Sequence, residues 1–288
     1  MSEAKTSAGG RLFLVATPIG NLEDVTLRAL RVLSEVSVIA CEDTRQTRKL
    51  LDRHAVARPL ISYHEHNERE RARELVERME AGETVALVSD AGMPLVSDPG
   101  RALVNLCIER GIPVTPIPGP SAFVAALAAS GLAAEEFLFV GFLPARAGER
   151  SRKLQELAAE RRTMIFYEAS HRLAATLRDA LAILGDRRAV VARELTKIHE
   201  EFRRATLSQL AEFYAQSEPR GEITLLVGAR EPSAAAPERA AGSLAERVAE
   251  LERQGQDRKS ALKQAAREFG IPKREAYRRL LAGQPHKP

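Results

Sequence analysis

The sequence predicts an α/β protein of two similar halves followed by a small helical unit. Three observations carry this reading. Apolar strand-like runs alternate with amphipathic helical segments from Leu12 to Ala229, Pro118, Gly119 and Pro120 break that alternation midway, and everything beyond Leu244 is helical in pattern. The boundaries that follow are a disordered N-terminus over 1–10, α/β domains over 11–117 and 118–230, a linker over 231–243, and a basic helical unit over 244–288.

In the first half, LFLVATPIG from Leu12 reads as a strand entering a turn. TLRALRVLSEV from Thr26 reads as a helix with Leu27, Leu30 and Leu33 on one face, and VIAC from Val38 as a second strand. A helix around Thr47 to His54, a short strand near Leu60 to Tyr63, a charged helix from Glu68 to Ala81, a strand at Val85 and a helix from Arg101 to Arg110 complete it. Most of these strands should be parallel, because each pair is separated by a helix. In the second half Ser121 is placed to cap a small-residue helix. Strands follow at Phe137, Thr163, Ala189 and Glu222, with helices at Ser151 to Glu160, His171 to Leu184 and Ser208 to Tyr214.

Composition bounds the class. A chain of 288 residues with 44% hydrophobic content can bury a large core. No run approaches the ~18 apolar residues of a membrane span, and the first ten residues lack the apolar centre of a secretory signal, so a cytoplasmic protein is expected. Cys41 and Cys107 fit neither a disulfide framework nor a zinc cluster. The net charge of +4 is uneven: residues 238–288 hold 12 Lys and Arg against 7 Asp and Glu, leaving 31 against 32 in the body. A basic tail on a neutral body suits a polyanion, or else is simply a solvated helical surface.

In the tail, Leu244, Val248 and Leu251 form one apolar stripe, and Asp257 is placed to cap DRKSALKQAAREF. SALKQAAREFGIPKREAYRRLL has helix-turn-helix spacing. Ala265, Phe269, Ile271, Tyr277 and Leu280 or Leu281 should face inward, with Gly270 at the turn and a third helix from Pro272. Lys273, Arg274, Arg278 and Arg279 then stay outside, where they can grip phosphate; a helical hairpin packed on another surface is the alternative.

The chemistry should lie in the turns. VALVSDAGMPLVSDPG from Val85 is a buried-strand run ending in two small-residue turns, each with a Ser-Asp pair, and such strand ends form ligand crevices in open α/β sheets. ATPIGN after the first strand has neither dinucleotide glycine spacing nor a P-loop lysine, which disfavours nicotinamide and ATP. Glu42, Asp43 and Arg45 follow the second strand; His64, Glu65, His66, Asn67 and Glu68 follow the third. They are acid–base groups on one expected sheet edge, though Asp43 also stands where a helix cap would. His64 and His66 lack metal-ligand spacing and no GxSxG elbow exists, so neither a metal site nor a nucleophilic triad is expected.

ATPIGN, SDAGMP with SDPG, and IPGPSA occur in the order and spacing of the tetrapyrrole methylase family, which the chain resembles over about Leu12 to Ala229. CEDTRQTRKLL, SYHEHNE, FYEASHR and ARELTKIHEE resemble the branch of that family that methylates a ribose 2′-hydroxyl of a decoding-centre cytidine in 16S ribosomal RNA. Gly92, Met93 and Pro94 stand where tetrapyrrole-precursor enzymes carry Gly-Asp-Pro, a departure that argues against such a substrate.

The resemblance implies S-adenosylmethionine in a cleft between the two domains and a homodimer acting on 16S ribosomal RNA or the small subunit. It implies cofactor contacts at Pro18, Ala91, Gly92, Met93, Val96, Ser121, Ala122, Phe166 or Tyr167, and Ala205. Asp43, Arg45, His64 and Glu65 are the candidate catalytic residues, and Arg172 with the tail cations the candidate RNA contacts. Two alternatives stay open: a tetrapyrrole-precursor C-methyltransferase, and a non-enzymatic RNA-binding assembly protein.

Overall fold

The computed structural model describes residues 9–217, 219–230, 244–269 and 276–278. The chain divides into two compact units, Met1–Arg230 and Glu231–Pro288. The disordered stretch expected over 1–10 falls mostly outside the described residues, although Gly10 is buried. The linker at 231–243 lies outside them altogether.

The first sheet has strands β1 (Arg11–Val15), β2 (Val38–Cys41), β3 (Leu60–Ser62), β4 (Thr84–Val88) and β5 (Val114–Ile117), in the order β3-β2-β4-β1-β5, all parallel. Helices α1 (Leu27–Glu35), α2 (Thr44–Arg53), α3 (Glu68–Glu80) and α4 (Arg101–Glu109) make the crossovers. With every strand parallel, the turns after β1, β2, β3, β4 and β5 all emerge on one edge. A ligand site of this topology belongs there. β5 is an addition to the sequence reading: Pro113 and Pro116 disguise it, and an edge strand tolerates a missing donor.

One helical face needs correction. Thr26 caps α1, its Oγ1 accepting from Ala29 N at 3.1 Å, and the helix turns Ala29, Val32 and Leu33 inward. Leu27 is 86% exposed and Leu30 half-buried, because the 3.6-residue period that buries 29, 32, 33 and 36 carries 27 and 30 off the sheet.

The second sheet has strands β6 (Phe137–Phe142), β7 (Thr163–Ala169), β8 (Arg188–Arg193), β9 (Glu201–Thr206) and β10 (Glu222–Val227), ordered β6-β7-β10-β8-β9. Only β6 and β7 run parallel. β9 is another strand missed in the sequence, because FRRA hides its alternation. Arg203 lies 3.7 Å over the Phe213 ring and Arg204 bonds Ser130 O and Ala129 O, so the arginine stems do the packing.

Helices α6 (Ala147–Glu156), α7 (Leu173–Leu184) and α8 (Leu207–Gln216) bury one face of this sheet on Phe166, Leu177 and Leu210. The helix expected at 151–160 thus starts four residues earlier and ends four earlier. Helix α5 (Ala122–Ser130) covers the other face, where Ile19 of the turn after β1 joins Ala126, Ile165, Val190 and Leu226 in one core. That shared core fixes the first sheet's turns against the second sheet.

In the second unit α9 (Leu244–Arg253) presents Leu244, Val248 and Leu251 to Ala261, Leu262, Ala265 and Ala266 of α10 (Arg258–Glu268), with Phe269 packed beside them. Asp257 caps α10, accepting from Lys259 N and Ser260 N at 3.0 and 3.2 Å. Residues 276–278 are helical; Ala276 is buried while Tyr277 is 59% exposed, so the inward position lies one residue before the tyrosine expected there. The placements expected for Gly270, Ile271, Pro272, Lys273, Arg274, Arg279, Leu280 and Leu281 lie outside the described residues.

Candidate functional site

The turn after β4 is locked to the turn after β1. Thr17 N donates to Gly92 O at 2.9 Å, Gly92 N returns to Thr17 O at 3.1 Å, Thr17 Oγ1 donates to Ser89 O, and Ser89 Oγ donates to Gly92 O. Gly92 holds φ +85°, and a Cβ there would stand 3.4 Å from Ile19 Cγ2 and 3.6 Å from Pro120 O. Leu95 and Ser97 take positive φ, 72° and 67°, without being glycine. Each such residue costs ~1–3 kcal/mol and persists only where its surroundings enforce it, so 95–97 is a segment held in place by its neighbours. Glu68 helps to enforce it, accepting from Gly100 N and Ala102 N at the start of α4.

These turns face the end of β7, the start of β10 and the start of α5 across a cavity of about 470 Å³. Of the expected cofactor contacts, Ala91, Gly92, Met93, Val96, Ser121, Ala122 and Tyr167 line it. Ser121 stands at the N-cap position of α5 but makes no capping bond, so its hydroxyl is available to the cavity. Three expected contacts are corrected. Phe166 is buried in the core under α7 and α8, because strand alternation sends it to the face opposite Tyr167; Ala205 of β9 packs against that same core; Pro18 lines a neighbouring cavity instead.

The wall also carries carboxylates. Asp98 is pushed up to about 6 by burial and by Glu42, with the nearby Ser89 hydroxyl pulling the other way. Burial likewise raises Asp90 and Glu42. Glu168 lies deepest and is fully used: it accepts from Thr176 Oγ1 at 2.5 Å and pairs with Arg172, whose guanidinium also donates to Leu143 O and Pro144 O. Arg172 therefore ties the loop after β6 to the end of β7, and its expected role as an RNA contact is replaced by a structural one.

The four candidate catalytic residues lie beside this wall and line neither cavity. Asp43 caps α2 and is gripped by Arg45 through two side-chain bonds, 3.2 and 2.9 Å, which with the Arg45 N–H hold its carboxyl down to about 2. Its backbone N–H donates to Asp90 Oδ1 at 3.1 Å, and that bond connects the loop after β2 to the cavity. His64 bonds Asn67 through its N–H and its ring, and its Nδ1 is buried without a partner; Glu65 is exposed beside it. Among the described residues no His, Cys, Asp and Glu group has metal-holding geometry.

Asp90, Asp98 and Glu222 are lining residues that sequence reasoning did not name as site residues. The two Ser-Asp pairs were a usable signal for the first two; Glu222 becomes visible only once β10 is placed.

A second cavity of about 380 Å³ adjoins the first and shares Ile19, Asp90, Ala91 and Glu222 with it. It is bordered by the turn after β1, one face of α2 and the loop after β8. That loop is close-packed: Thr196 Oγ1 accepts from Asn21 N, and a Cβ on Gly20 would stand 2.6 Å from Lys197 Cγ. Glu194 and Thr196 take positive φ, and Glu194 Oε1 holds both Glu222 N and Lys197 Nζ. Gly221 takes φ +89°, which favours glycine, and a Cβ there would also displace that carboxylate.

Comparison with known proteins agrees with this architecture. The family profile described as Tetrapyrrole (Corrin/Porphyrin) Methylases matches residues 11–211. A protein of Halalkalibacterium halodurans named Ribosomal RNA small subunit methyltransferase I is 48% identical over 93% of each chain. Its namesake in Synechocystis is 47% identical over 94% of this chain and 98% of its own. Among solved structures, uroporphyrin-III C-methyl transferase from Thermus thermophilus, complexed with S-adenyl homocysteine, is 25% identical with a TM-score of 0.55, over 76% of this chain and 97% of its own.

Proposed function

As a member of the tetrapyrrole methylase family, on the branch of the ribosomal RNA small subunit methyltransferases I, this chain is, we propose, an S-adenosylmethionine-dependent methyltransferase that modifies the ribose 2′-hydroxyl of a decoding-centre cytidine in 16S ribosomal RNA. The observation that carries the reading is the cavity built by the three Gly/Pro turns in a chain close to half identical to proteins named Ribosomal RNA small subunit methyltransferase I. Bound in that cavity, S-adenosylmethionine supplies an electrophilic methyl group on a sulfonium centre.

The residues fit such a ligand. Gly92 leaves a cradle that a side chain would fill, Ser121 and Ala122 are small, Tyr167 offers a ring to a flat base, and Asp90, Asp98 and Glu222 face a cation with carboxylates. No phosphate cradle is needed, in keeping with ATPIGN. Asp43, Arg45, His64 and Glu65 are proposed to act next to this cavity: Asp43 positions Asp90 through its backbone N–H, and His64 and Glu65 border Glu42 electrostatically. A carboxylate here takes or shares the hydroxyl proton, an effect worth ~10²- to 10⁴-fold. The tail cations Lys273, Arg274, Arg278 and Arg279 are proposed to hold RNA, and the enzyme to work as a homodimer in the cytoplasm. No described helix is long and apolar enough to cross a membrane.

The raised pKa of Asp98 sets a pH test. Its carboxylate is disfavoured by burial and by Glu42, and a cationic ligand restores it, so affinity should rise with pH as the proton leaves near 6. Glu42 and Asp90 are raised as well and act in the same direction. Calorimetry from pH 5 to 7 should show S-adenosylmethionine binding tighten about tenfold, and Asp98→Asn should remove most of that change. A flat wild-type profile contradicts the assignment of Asp98. The function itself is tested by mapping ribose methylation in cells with and without this chain: one cytidine of 16S RNA should lose its 2′-O-methyl group.

A further inference from the structure

The second cavity adjoins the one proposed to hold the cofactor and shares a wall with it. We propose that it is the acceptor subsite and takes a single unstacked nucleoside of an RNA strand, with Gln46 at the base edge and Lys49 at the adjoining phosphate. This rests on the RNA-methylating reading above and assigns its substrate a place.

Three observations carry it. At about 380 Å³ the cavity is of the size that encloses one small ligand. Its wall of Ile19, Asp90, Ala91 and Glu222 is common to both cavities, and group transfer requires donor and acceptor to meet across such a boundary. Its lining is chemically divided: Pro18, Ile19, Leu22 and Leu50 offer apolar faces for a flat ring, while α2 adds Gln46 and Lys49 at i and i+3 on one helical face.

The charges narrow the ligand class. Lys197 is already held by Glu194 and Glu222, at 2.8 and 3.0 Å. Lys49 has no acidic partner among the described residues; its Nζ donates to Gln46 Oε1 at 3.1 Å. With Asp90 and Glu222 also in the wall the lining has no surplus of positive charge, which is wrong for a polycarboxylate macrocycle. One cation beside a neutral ring site suits a nucleoside with one phosphate. The Gln46 amide offers both a donor and an acceptor to a base edge. A nucleotide unstacked from its neighbours can seat its base on those apolar faces and bring its ribose 2′-hydroxyl to the wall shared with the cofactor's cavity.

The test uses the full chain and small subunits purified from cells lacking it. Gln46 and Lys49 are exposed and Leu22 is 40% exposed, so Gln46→Ala, Lys49→Ala and Leu22→Trp should melt like wild type. All three should bind S-adenosylmethionine within about twofold of wild type. Gln46→Ala with Lys49→Ala should raise KM for subunits about tenfold or more, and Lys49→Ala should reduce the salt dependence of subunit binding by about one unit of log–log slope, with Lys49→Arg restoring it. Leu22→Trp should block transfer by filling the cavity. Wild-type KM and salt slope in the variants overturn the subsite, and so does loss of cofactor binding in Leu22→Trp. Failure of the wild-type protein to methylate the subunits overturns the RNA-methylating reading, and the subsite with it.

Discussion

Gly92→Val is expected to abolish S-adenosylmethionine binding, with affinity falling ~10²-fold or more, about 2.7 kcal/mol. Two effects combine. At φ +85° a β-branched side chain costs ~1–2 kcal/mol, so the turn shifts away from its pairing with Thr17. The added methyl groups also project between Ile19 and Pro120, into the cradle the cofactor is proposed to occupy. Ala122→Phe separates occupancy from strain, because Ala122 is in a regular helix on the opposite wall and its bulk enters the same cavity. Calorimetry on both variants, with melting curves to confirm the fold, checks the expectation. Undiminished affinity in both folded proteins contradicts the pocket.

Replacing Lys273, Arg274, Arg278 and Arg279 together with Gln should weaken binding to small ribosomal subunits about tenfold or more at physiological salt. Salt dependence should become shallower by about one unit of log–log slope for each phosphate that is no longer neutralised. S-adenosylmethionine affinity should not change, since the cavity proposed for the cofactor is built wholly from Met1–Arg230. Removing 231–288 should act in the same direction and further, because the remaining chain is close to neutral while the tail holds the excess of cations. Filter binding across a salt series measures both quantities. Equal affinity and equal slope in the variants would assign RNA selection to the loops around Asp43 and His64.

Much of the first sheet was legible because a parallel strand buried on both faces is a bare apolar run, as in VALV and VIAC. The strands that escaped were edges. β5 carries two prolines in and beside it and β9 carries Arg203 and Arg204, so their burial depends on neighbours that lie far away along the chain. The cavity-lining turns were legible for a related reason: the small residues that permit close backbone approach are distinctive in sequence. Side-chain direction was not. Phe166 and Tyr167 are interchangeable until the strand's register is fixed, and α1 turns Ala29 inward and Leu27 outward against the hydrophobicity ranking. Asp43 shows a further limit, since the same residue type serves as helix cap and as acid–base group, and only its bonds to Arg45 and Asp90 separate the two uses.

Ribose methylation of small-subunit RNA can be read out in a single transfer experiment. The purified protein is incubated with S-adenosylmethionine carrying a labelled methyl group and with small subunits from cells that lack the protein, and the RNA is then hydrolysed in alkali. A 2′-O-methyl group blocks attack on the adjoining phosphodiester, so label is expected in an alkali-resistant dinucleotide that begins with cytidine, from a single position. Label in an ordinary mononucleotide, as base methylation would give, or label accepted only by a tetrapyrrole precursor and not by RNA, overturns ribose methylation.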